Sequence, residues 1–189
     1  MELAAGRLAV RDDPGGSDLV GRFIAGEATA FEQVVGRYAE RLAALVYRLL
    51  GYSGDVEDVV QDVFLVALES RRKFRADSSL WTWLTAIAVN RCRSRWRRKR
   101  LRELISGRQA SPAADESAIT DETSAQVRRA VAELPGRLRE VVVLHYLEEM
   151  PVEEIGLALG ISRSAIDVRL HRAREKLRQT LPRLVIEER

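Results

Sequence analysis

A run of cations that no acid interrupts carries the clearest chemistry in this sequence. Its members are Arg91, Arg93, Arg95, Arg97, Arg98, Lys99, Arg100 and Arg102. Such a density favours a phosphate backbone as partner, because each neutralised phosphate releases counterions. Tryptophans interleaved with the cations offer surfaces on which unpaired bases stack. We expect Trp83 to anchor the core and Trp81 and Trp96 to be exposed. A nonspecific RNA-binding patch and a membrane-surface patch stay open as alternatives.

A second set of residues is typical of a protein that reads duplex DNA. In the segment 151–181, Pro151 suits a first helical turn, and Gly160 can adopt the left-handed conformation that ends a helix. Ser162 is then placed to cap a second, longer helix. A short helix, a tight turn and a longer helix together predict a helix-turn-helix.

The second helix of this motif has two distinct faces. Its apolar face is predicted to lie in the core and contains Ile166, Leu170, Ala173 and Leu177. The opposite ridge contains Ser164, Val168 and His171, flanked by Arg163, Asp167, Arg169, Arg172 and Lys176. In a helix laid in the major groove, such a ridge reaches base edges while the cations contact phosphates. The alternative is an ordinary solvated helix.

An acidic face is predicted on the helix 55–68. Valines recur there at spacings of three and four, and Asp58, Gln61, Asp62 and Leu65 fall on the other side. An exposed leucine beside carboxylates suits docking against a basic partner helix. A plain solvated face is the alternative. A metal site is disfavoured because no His or Cys lies nearby and the spacing is not that of a calcium loop.

The elements that must position these residues are helices. The chain of 189 residues shows apolar spacings of three and four and almost no alternation. We therefore predict an all-α protein with two small helical domains and a flexible linker. The expected divisions are a flexible tail at 1–17, a first domain at 18–105, an acidic linker at 106–124 and a helix-turn-helix domain at 125–189.

Composition excludes several classes of protein. The single cysteine, Cys92, excludes an internal disulfide and a cysteine-based zinc cluster, and it favours a reducing compartment. Neither a signal peptide nor an apolar run of membrane-spanning length is evident, so we expect a cytoplasmic protein without membrane insertion. His145 and His171 lack a partner constellation for catalysis, so we expect no enzyme activity and no cofactor.

Three segments in order resemble the extracytoplasmic-function branch of the sigma-70 family of RNA polymerase initiation factors. They are DVEDVVQDVFLVAL, then FRADSSLWTWLTAIAVNRCRSRWRRKR, then LPGRLREVVVLHYLEEMPVEEIGLALGISRSAIDVRLHRAREKLR. The resemblance covers about 18–105, the family's region two, and 124–181, its region four. It implies a factor that binds core RNA polymerase and promoter DNA, and that an anti-sigma factor holds inactive.

The resemblance also implies roles for residues of the first domain. A helix docking on the clamp coiled coil of the polymerase largest subunit would use Asp58, Gln61, Asp62 and Phe64. We add Leu65, the exposed leucine of the acidic face, to this polymerase-binding set. The loop from Phe74 to Leu80 and the helix holding Asn90 correspond to the part that captures a flipped base of the minus-10 element and holds the non-template strand. The expected minus-10 residues are Phe74, Arg75, Ser78, Ser79, Trp81, Asn90, Arg91, Arg95, Arg97 and Arg98.

In the second domain the resemblance implies a helix that reads the minus-35 duplex. Its expected residues are Ser162, Arg163, Ser164, Asp167, Val168, Arg169, His171, Arg172 and Arg174. The chain departs from the family where Thr-Val-Lys-Ser is usual, because it has Ala165, Ile166, Asp167 and Val168. Asp167 can accept a hydrogen bond from a cytosine amino group and Val168 can touch a thymine methyl. The alternative is that Asp167 pairs with Arg163 or His171.

The sequence departs from the family at two further positions, and one competing function stays open. Ser94 stands where the family often has Asp, and Glu149 where it often has Gly. The competing function is a helix-turn-helix regulator that binds duplex DNA as a dimer. Such a regulator would need a ligand pocket or dimer seam in its N-terminal half, and it would have no use for tryptophans interleaved with cations.

Overall fold

All regular structure in the described part of the chain is helical, which confirms the all-α prediction there. The computed structural model describes residues 16–51, 54–75, 77–106 and 122–181. The helices are α1 (Gly16–Ala25), α2 (Ala28–Leu50), α3 (Val56–Ser70), α4 (Leu80–Ser106), α5 (Glu122–Glu133), α6 (Gly136–Val142), α7 (Val152–Leu159) and α8 (Arg163–Thr180). A 3-10 turn, Arg71–Lys73, follows α3, and a single π-helical turn, Val143–Leu147, follows α6.

The predicted tail and linker lie mostly outside the described residues. At the linker, α4 continues to Ser106 and α5 begins at Glu122, so residues 107–121 are not described. The division into two helical domains agrees with the order of the helices, and the domain boundaries stay a prediction.

The N-terminal helices, α1 to α4, enclose a core of aliphatic and aromatic side chains. The valine stripe of α3 faces inward as predicted, with Val59 and Val63 fully buried. Aromatic rings join the helices, since Phe23 stacks with Phe31 and meets Trp83 edge-on. These contacts fix α4, the longest helix, against the other three.

The helix α4 begins at a side-chain cap and changes character along its length. Oγ of Ser79 accepts a hydrogen bond from the backbone N–H of Thr82 at 3.0 Å, which satisfies one of the free donors of the first turn. Leu84, Ala88 and Val89 are buried in the first half. The second half carries the cations, and the exposed apolar residues near its end are Leu101, Leu104 and Ile105.

The C-terminal helices form the predicted helix-turn-helix. The helix α7 ends at Gly160, whose φ of 66° is left-handed. Ser162 caps α8, since its Oγ accepts from the N–H of Ala165 at 3.3 Å. A Cβ added at Gly156 would stand 3.1 Å from the carbonyl oxygen of Ile161, so a small residue lets the turn pack closely. Ile155 and Ile166 are fully buried and fix the angle between the helices.

The two sets of helices also pack against each other. The helix α7 lies along α4, and α2 contacts α5, α6 and the π turn. The buried apolar residues of both sets form one continuous cluster. The relative placement of the two halves, for which the sequence offered no signal, is therefore set by a shared core. None of the described helices has the length and apolar character needed to cross a membrane.

The departure at position 149 has a structural consequence. Glu149 has a φ of 52° and is the one non-glycine residue with positive φ in the described ranges. A left-handed conformation costs a residue with a Cβ about 1–2 kcal/mol. Glycine, which the resemblance places here, avoids that cost.

We predict that Glu149→Gly stabilises the protein by about 0.5–1 kcal/mol, because relief of the left-handed strain exceeds the extra entropy of an unfolded glycine. The matched control is Glu32→Gly in the interior of α2, which should lower stability by about 1 kcal/mol. Urea unfolding of both variants measures the difference. Equal destabilisation by the two changes would contradict the strain at position 149.

Candidate nucleic-acid interface

The predicted reading ridge on α8 lies at the surface. Val168 is 50% exposed, and Ile166 and Leu170 on the opposite side are buried. The ridge residues that are exposed are Ser162, Arg163, Ser164, Asp167, Val168, His171, Arg172 and Arg174. A helix with this layout can enter a major groove without moving its core face.

The ion pair on the ridge leaves the carboxylate of Asp167 available to a base. Arg163 donates to Oε1 of Glu153 on α7 at 2.9 Å, so it does not pair with Asp167. Within the described ranges Asp167 makes no ion pair with His171 either. The carboxylate of Asp167 therefore remains free to accept a bond from a base.

Two arginines of the predicted minus-35 set, Arg169 and Arg174, are held more closely by the fold than the sequence predicts. Arg169 is half-buried, and its Nη1 atom is enclosed without a hydrogen-bond partner. Arg174 is exposed but its Nε approaches the carbonyl of Leu170 at 3.5 Å. Arg169 lines a cleft toward the N-terminal helices rather than the outer ridge.

The basic half of α4 presents part of the minus-10 set. Asn90, Arg97 and Arg98 are exposed and Arg91 is half-buried. Ser94, where the family often has an acid, donates to the carbonyl of Asn90 at 3.0 Å and accepts from Arg97 at 3.1 Å. The hydroxyl thus orients one cation without neutralising it.

Arg95 is held by carboxylates of the neighbouring helix. Its Nη2 lies 2.7 Å from Oδ2 of Asp58 and 3.6 Å from Oδ1 of Asp55. Asp58 belongs to the predicted polymerase-binding face, whereas Arg95 was predicted to follow DNA. The fold joins two residues that the sequence assigned to separate surfaces.

The expectation that Trp81 is exposed is wrong. Its side chain is 2% exposed, lies parallel to the ring of Tyr38 and carries the guanidinium of Arg41 at 4.0 Å from its ring centre. Trp83, the expected core anchor, is half-buried against Phe74. In this conformation Trp81 packs beneath the loop that precedes α4, and its ring offers no surface on which a base can stack.

Trp96 is also covered more than predicted. It is half-buried, with the guanidinium of Arg139 4.9 Å and Nζ of Lys99 5.7 Å from its ring centre. The ring therefore already takes part in cation–π contacts.

The loop before α4 is only partly accessible. Phe74 and Ser79 are buried, Ser78 is half-buried and Arg75 is exposed. Phe74 packs on Trp83, and the hydroxyl of Ser79 serves as the helix cap. As placed here, Phe74 and Ser79 cannot touch a base, because packing and capping already use their side chains.

The acidic face on α3 is exposed apart from its aromatic member. Asp58, Gln61 and Leu65 are exposed, and Leu65 retains 50% of its surface. Asp62 is half-buried. Phe64 is buried against Phe31, so it holds the helix in place instead of reaching a partner.

Four charged residues that the sequence analysis did not single out reach from the C-terminal helices to α2 and α4. They are Arg139, Glu140, Glu148 and Glu154. Two of them, Arg139 and Glu140, could have been predicted from the sequence, because they lie within the apolar run 138–147. A charge that is buried in such a run must be paired.

Cys92 lies on α4 beneath the C-terminal helices and is buried. Burial, with a contribution from Glu140, raises the pKa of its thiol to about 12. The thiol is therefore protonated and unreactive at neutral pH. In the described part of the chain, no group of three or more His, Cys, Asp or Glu side chains is placed to hold a metal.

Comparison with known proteins matches both halves of the chain. The family profile described as Sigma-70 region 2 matches residues 34–102, and the profile described as Sigma-70, region 4 matches residues 124–177. The RNA polymerase sigma factor CarQ of Myxococcus xanthus is 35% identical over 172 residues, covering 88% of this chain and 97% of its own. The ECF RNA polymerase sigma factor SigW of Bacillus subtilis is 31% identical, with 82% and 91% covered.

Two solved structures resemble the whole arrangement of helices. CnrH in complex with the cytosolic domain of CnrY has a TM-score of 0.66 and 30% identity, and the match covers 89% of this chain and 97% of that one. RpoE of Bartonella quintana in complex with the anti-sigma factor NepR has a TM-score of 0.70 and 26% identity, with 82% and 98% covered.

We predict that Asp58→Asn strengthens binding of single-stranded DNA, because Arg95 loses its nearer carboxylate and can contact a phosphate. One added phosphate contact should steepen the slope of log affinity against log salt by about 0.7. Fluorescence anisotropy with a labelled oligonucleotide at several salt concentrations measures this.

The control for that experiment is Asp62→Asn, which removes the same charge from the same helix without touching Arg95. Adding Arg95→Ala to Asp58→Asn should abolish the gain. A gain of the same size in the Asp62 variant would assign the effect to net charge and contradict a specific release of Arg95.

Proposed function

The chain belongs to the extracytoplasmic-function branch of the sigma-70 family, and from that premise we propose how its surfaces direct transcription initiation. The protein binds core RNA polymerase and brings it to promoters. The observation that carries this function is the presence in one chain of an exposed duplex-reading ridge on α8 and a cation-rich half of α4. The first suits a double helix and the second suits a separated strand.

The helix α8 contacts the minus-35 element in the major groove. Asp167 and Val168 face the bases, where they read a cytosine amino group and a thymine methyl. Arg163, Arg172 and Arg174 lie beside them and contact phosphates, which sets the register of the helix. In the unbound protein Arg163 pairs with Glu153 and not with Asp167, so the Asp167 carboxylate is free to accept a bond from a base, which supports this assignment.

The helix α4 holds the non-template strand of the minus-10 element. Asn90, Arg91, Arg97 and Arg98 follow the strand, and Arg75 with Ser78 lies nearest to an extruded base. Phe74, Ser79 and Trp81 act beneath the surface, where they fix the loop. The bases gain contacts only when separated, so binding favours the melted promoter without any covalent step.

The acidic face of α3 binds the polymerase. Asp58, Gln61, Asp62 and Leu65 combine carboxylates with an exposed apolar side chain, which suits a basic helical partner. The buried Phe64 keeps that face rigid from below. The protein acts in the cytoplasm with the polymerase, and an anti-sigma factor holds it inactive, as NepR binds the related RpoE.

Reconstitution of transcription tests the function directly. The purified chain and core polymerase should together give transcripts from a set of genomic templates, with related sequences upstream of the mapped starts. Duplex binding without any polymerase-dependent transcript, or without preference for a melted bubble, would favour a dimeric helix-turn-helix regulator instead.

We predict that Asp62→Lys weakens binding to core polymerase by tenfold or more, on the order of 1.4 kcal/mol, by placing a cation against a basic partner. Circular dichroism should show unchanged helical content. The matched control is Glu40→Lys, an exposed acid on α2, which should retain the affinity of the parent. Equal affinity of all three proteins in a pull-down titration would refute the role of this face.

We predict different effects for two substitutions on α8. Asp167→Ala should relax the preference at a single base pair by about 1–3 kcal/mol. Arg172→Ala should weaken binding of every sequence alike and reduce the salt slope by about one. Titration of a library of minus-35 duplexes separates the two. An unchanged sequence preference in the Asp167 variant would remove this residue from the reading surface.

A further inference from the structure

A basic cleft lies between α4, the corner that joins α5 to α6, and α8. Its volume is about 940 Å³, within the range of small-molecule sites, about 300–1,000 Å³. Two carboxylates line it, those of Glu133 and Glu140, against six guanidinium groups from three helices. These arginines, which define the arginine cleft, are Arg93, Arg97, Arg100, Arg137, Arg139 and Arg169. Such an excess of cations in a concave site favours an anion as ligand.

Two arginines of the cleft are engaged within the fold. Arg93 donates from Nε and Nη2 to the two carboxylate oxygens of Glu140, each at 2.7 Å. Arg139 is buried, and its Nη1 donates to the carbonyls of Leu49 at 3.0 Å and Leu50 at 2.9 Å. These contacts neutralise Glu140 and hold α6 against α2 and α4. They leave the charge of the other arginines unbalanced.

The other four arginines of the cleft pair with no carboxylate of the described residues. Arg97 donates to Oγ of Ser94 at 3.1 Å, which leaves its charge intact. Arg100 and Arg137 are exposed. Glu133, the remaining carboxylate of the cleft, is exposed and forms no ion pair with a residue in the described ranges. The cleft therefore keeps a clear excess of positive charge.

Arg169 has an enclosed donor without an acceptor. Its side chain is half-buried, and no acceptor in the described part of the chain lies within hydrogen-bond distance of the enclosed Nη1. A charged donor in such a position is unfavourable until an acceptor meets it. Arg169 lines the cleft rather than the outer ridge of α8, so a duplex held on that ridge does not supply the acceptor. A small anion inside the cleft does.

The spacing of the arginines on α4 favours an anion with several linked phosphates. Arg93, Arg97 and Arg100 follow one another at intervals of four and three, so they lie on one face of the helix. With a rise of about 1.5 Å per residue the row is about 10 Å long, which exceeds the reach of a single phosphate. A guanidinium donates two parallel bonds to a phosphate, and Arg137 and Arg169 add theirs from α6 and α8.

We propose that the arginine cleft binds an oligophosphate, an anion of three or more linked phosphate groups. Its oxygens accept from Arg97 and Arg100 on α4, from Arg137 on α6 and from Arg169 on α8. A nucleoside triphosphate and inorganic tripolyphosphate share this chemistry. The cleft lies apart from the ridge proposed for duplex DNA and from the acidic face proposed for the polymerase.

The bound oligophosphate competes with the non-template strand for Arg97. This consequence rests on the proposed function, which assigns Arg97 to the strand, whereas binding in the cleft does not depend on it. The oligophosphate is therefore an effector that lowers the affinity of the protein for a melted promoter.

Isothermal titration calorimetry of the full chain at constant ionic strength tests the cleft. Inorganic tripolyphosphate should form a one-to-one complex, and inorganic monophosphate should bind at least about tenfold more weakly, because it reaches fewer guanidinium groups. Adenosine triphosphate is the second arm. Tighter binding than that of tripolyphosphate assigns the site to a nucleotide, and equal or weaker binding assigns it to the phosphate chain alone. Equal affinity for monophosphate and tripolyphosphate, or no saturable binding, would overturn the proposal.

Arginine substitutions locate the bound anion. Arg169→Ala and Arg137→Ala should each weaken tripolyphosphate binding about tenfold, since each removes a charge-assisted contact. Arg169→Lys keeps the charge without the fork, so its affinity should lie between those of the parent and Arg169→Ala. The matched control is Arg128→Ala, an exposed arginine of α5 outside the cleft, which should bind as the parent does.

Circular dichroism should show the same helical content in all of these variants. Arg137 is exposed, so its substitution tests the cleft without disturbing a buried contact. Equal weakening in the Arg128 variant would assign the binding to net charge. That result, or unchanged affinity in both alanine variants of the cleft, would overturn the proposal.

Competition for a single strand separates this inference from the proposed function. Tripolyphosphate should displace a labelled single-stranded oligonucleotide from the parent, and at least about tenfold more of it should be needed with Arg169→Ala. Identical displacement curves for the two proteins would overturn the competition. Normal transcription without tripolyphosphate binding would overturn the cleft alone, whereas tripolyphosphate binding without any polymerase-dependent transcript would refute the proposed function alone.

Discussion

A buried guanidinium at the end of α2 is the interaction on which the arrangement of this molecule depends. Arg139 bonds the last carbonyls of α2 and the carbonyl of Leu134, and it lies over the ring of Trp96. A buried cation costs several kcal/mol unless its donors are satisfied, so the geometry around it has little freedom. This constraint places α6 against α2 and α4, and the rest of the C-terminal helices follow. Glu140 then meets Arg93 because it is the adjacent residue.

The helix α4 faces the N-terminal core, the C-terminal helices and solvent, and its sequence differs from one of these faces to the next. In its first half, Leu84 and Ala88 face the N-terminal core, whereas Thr82 faces Glu154 of α7. In its second half, Arg93 pairs with Glu140 and Arg95 with Asp58, whereas Arg97, Arg98 and Arg100 are exposed. We propose that these exposed cations contact nucleic acid. A helix buried on two sides has no single apolar stripe. The same feature lets one element connect the proposed strand-binding surface to the helices that position the proposed duplex-reading ridge.

Arginine–carboxylate pairs link surfaces that have separate tasks. Arg95 is held by Asp58 from the proposed polymerase-binding face, and Arg163 is held by Glu153 beside the proposed reading ridge. Such exposed pairs contribute about 1 kcal/mol or less to stability and exchange readily for a phosphate or a partner side chain. They therefore keep cations in place before binding without making their release costly. The pair between Arg93 and Glu140 differs, because its carboxylate is buried.

The sequence by itself determined the helices, the helix-turn-helix and the reading ridge, because period, caps and Gly160 act over a few neighbouring residues. The valine stripe of α3 and the exposure of Asp167 and Val168 follow from the same local rules. Tertiary structure alone decided that Trp81 is covered by α2 and that Phe64, Phe74 and Ser79 are used inside the fold. It also decided that Arg95 meets Asp58 and that Arg139 reaches α2. These contacts join residues far apart in the chain, and a pattern of local spacings contains no information about which distant element covers a given face.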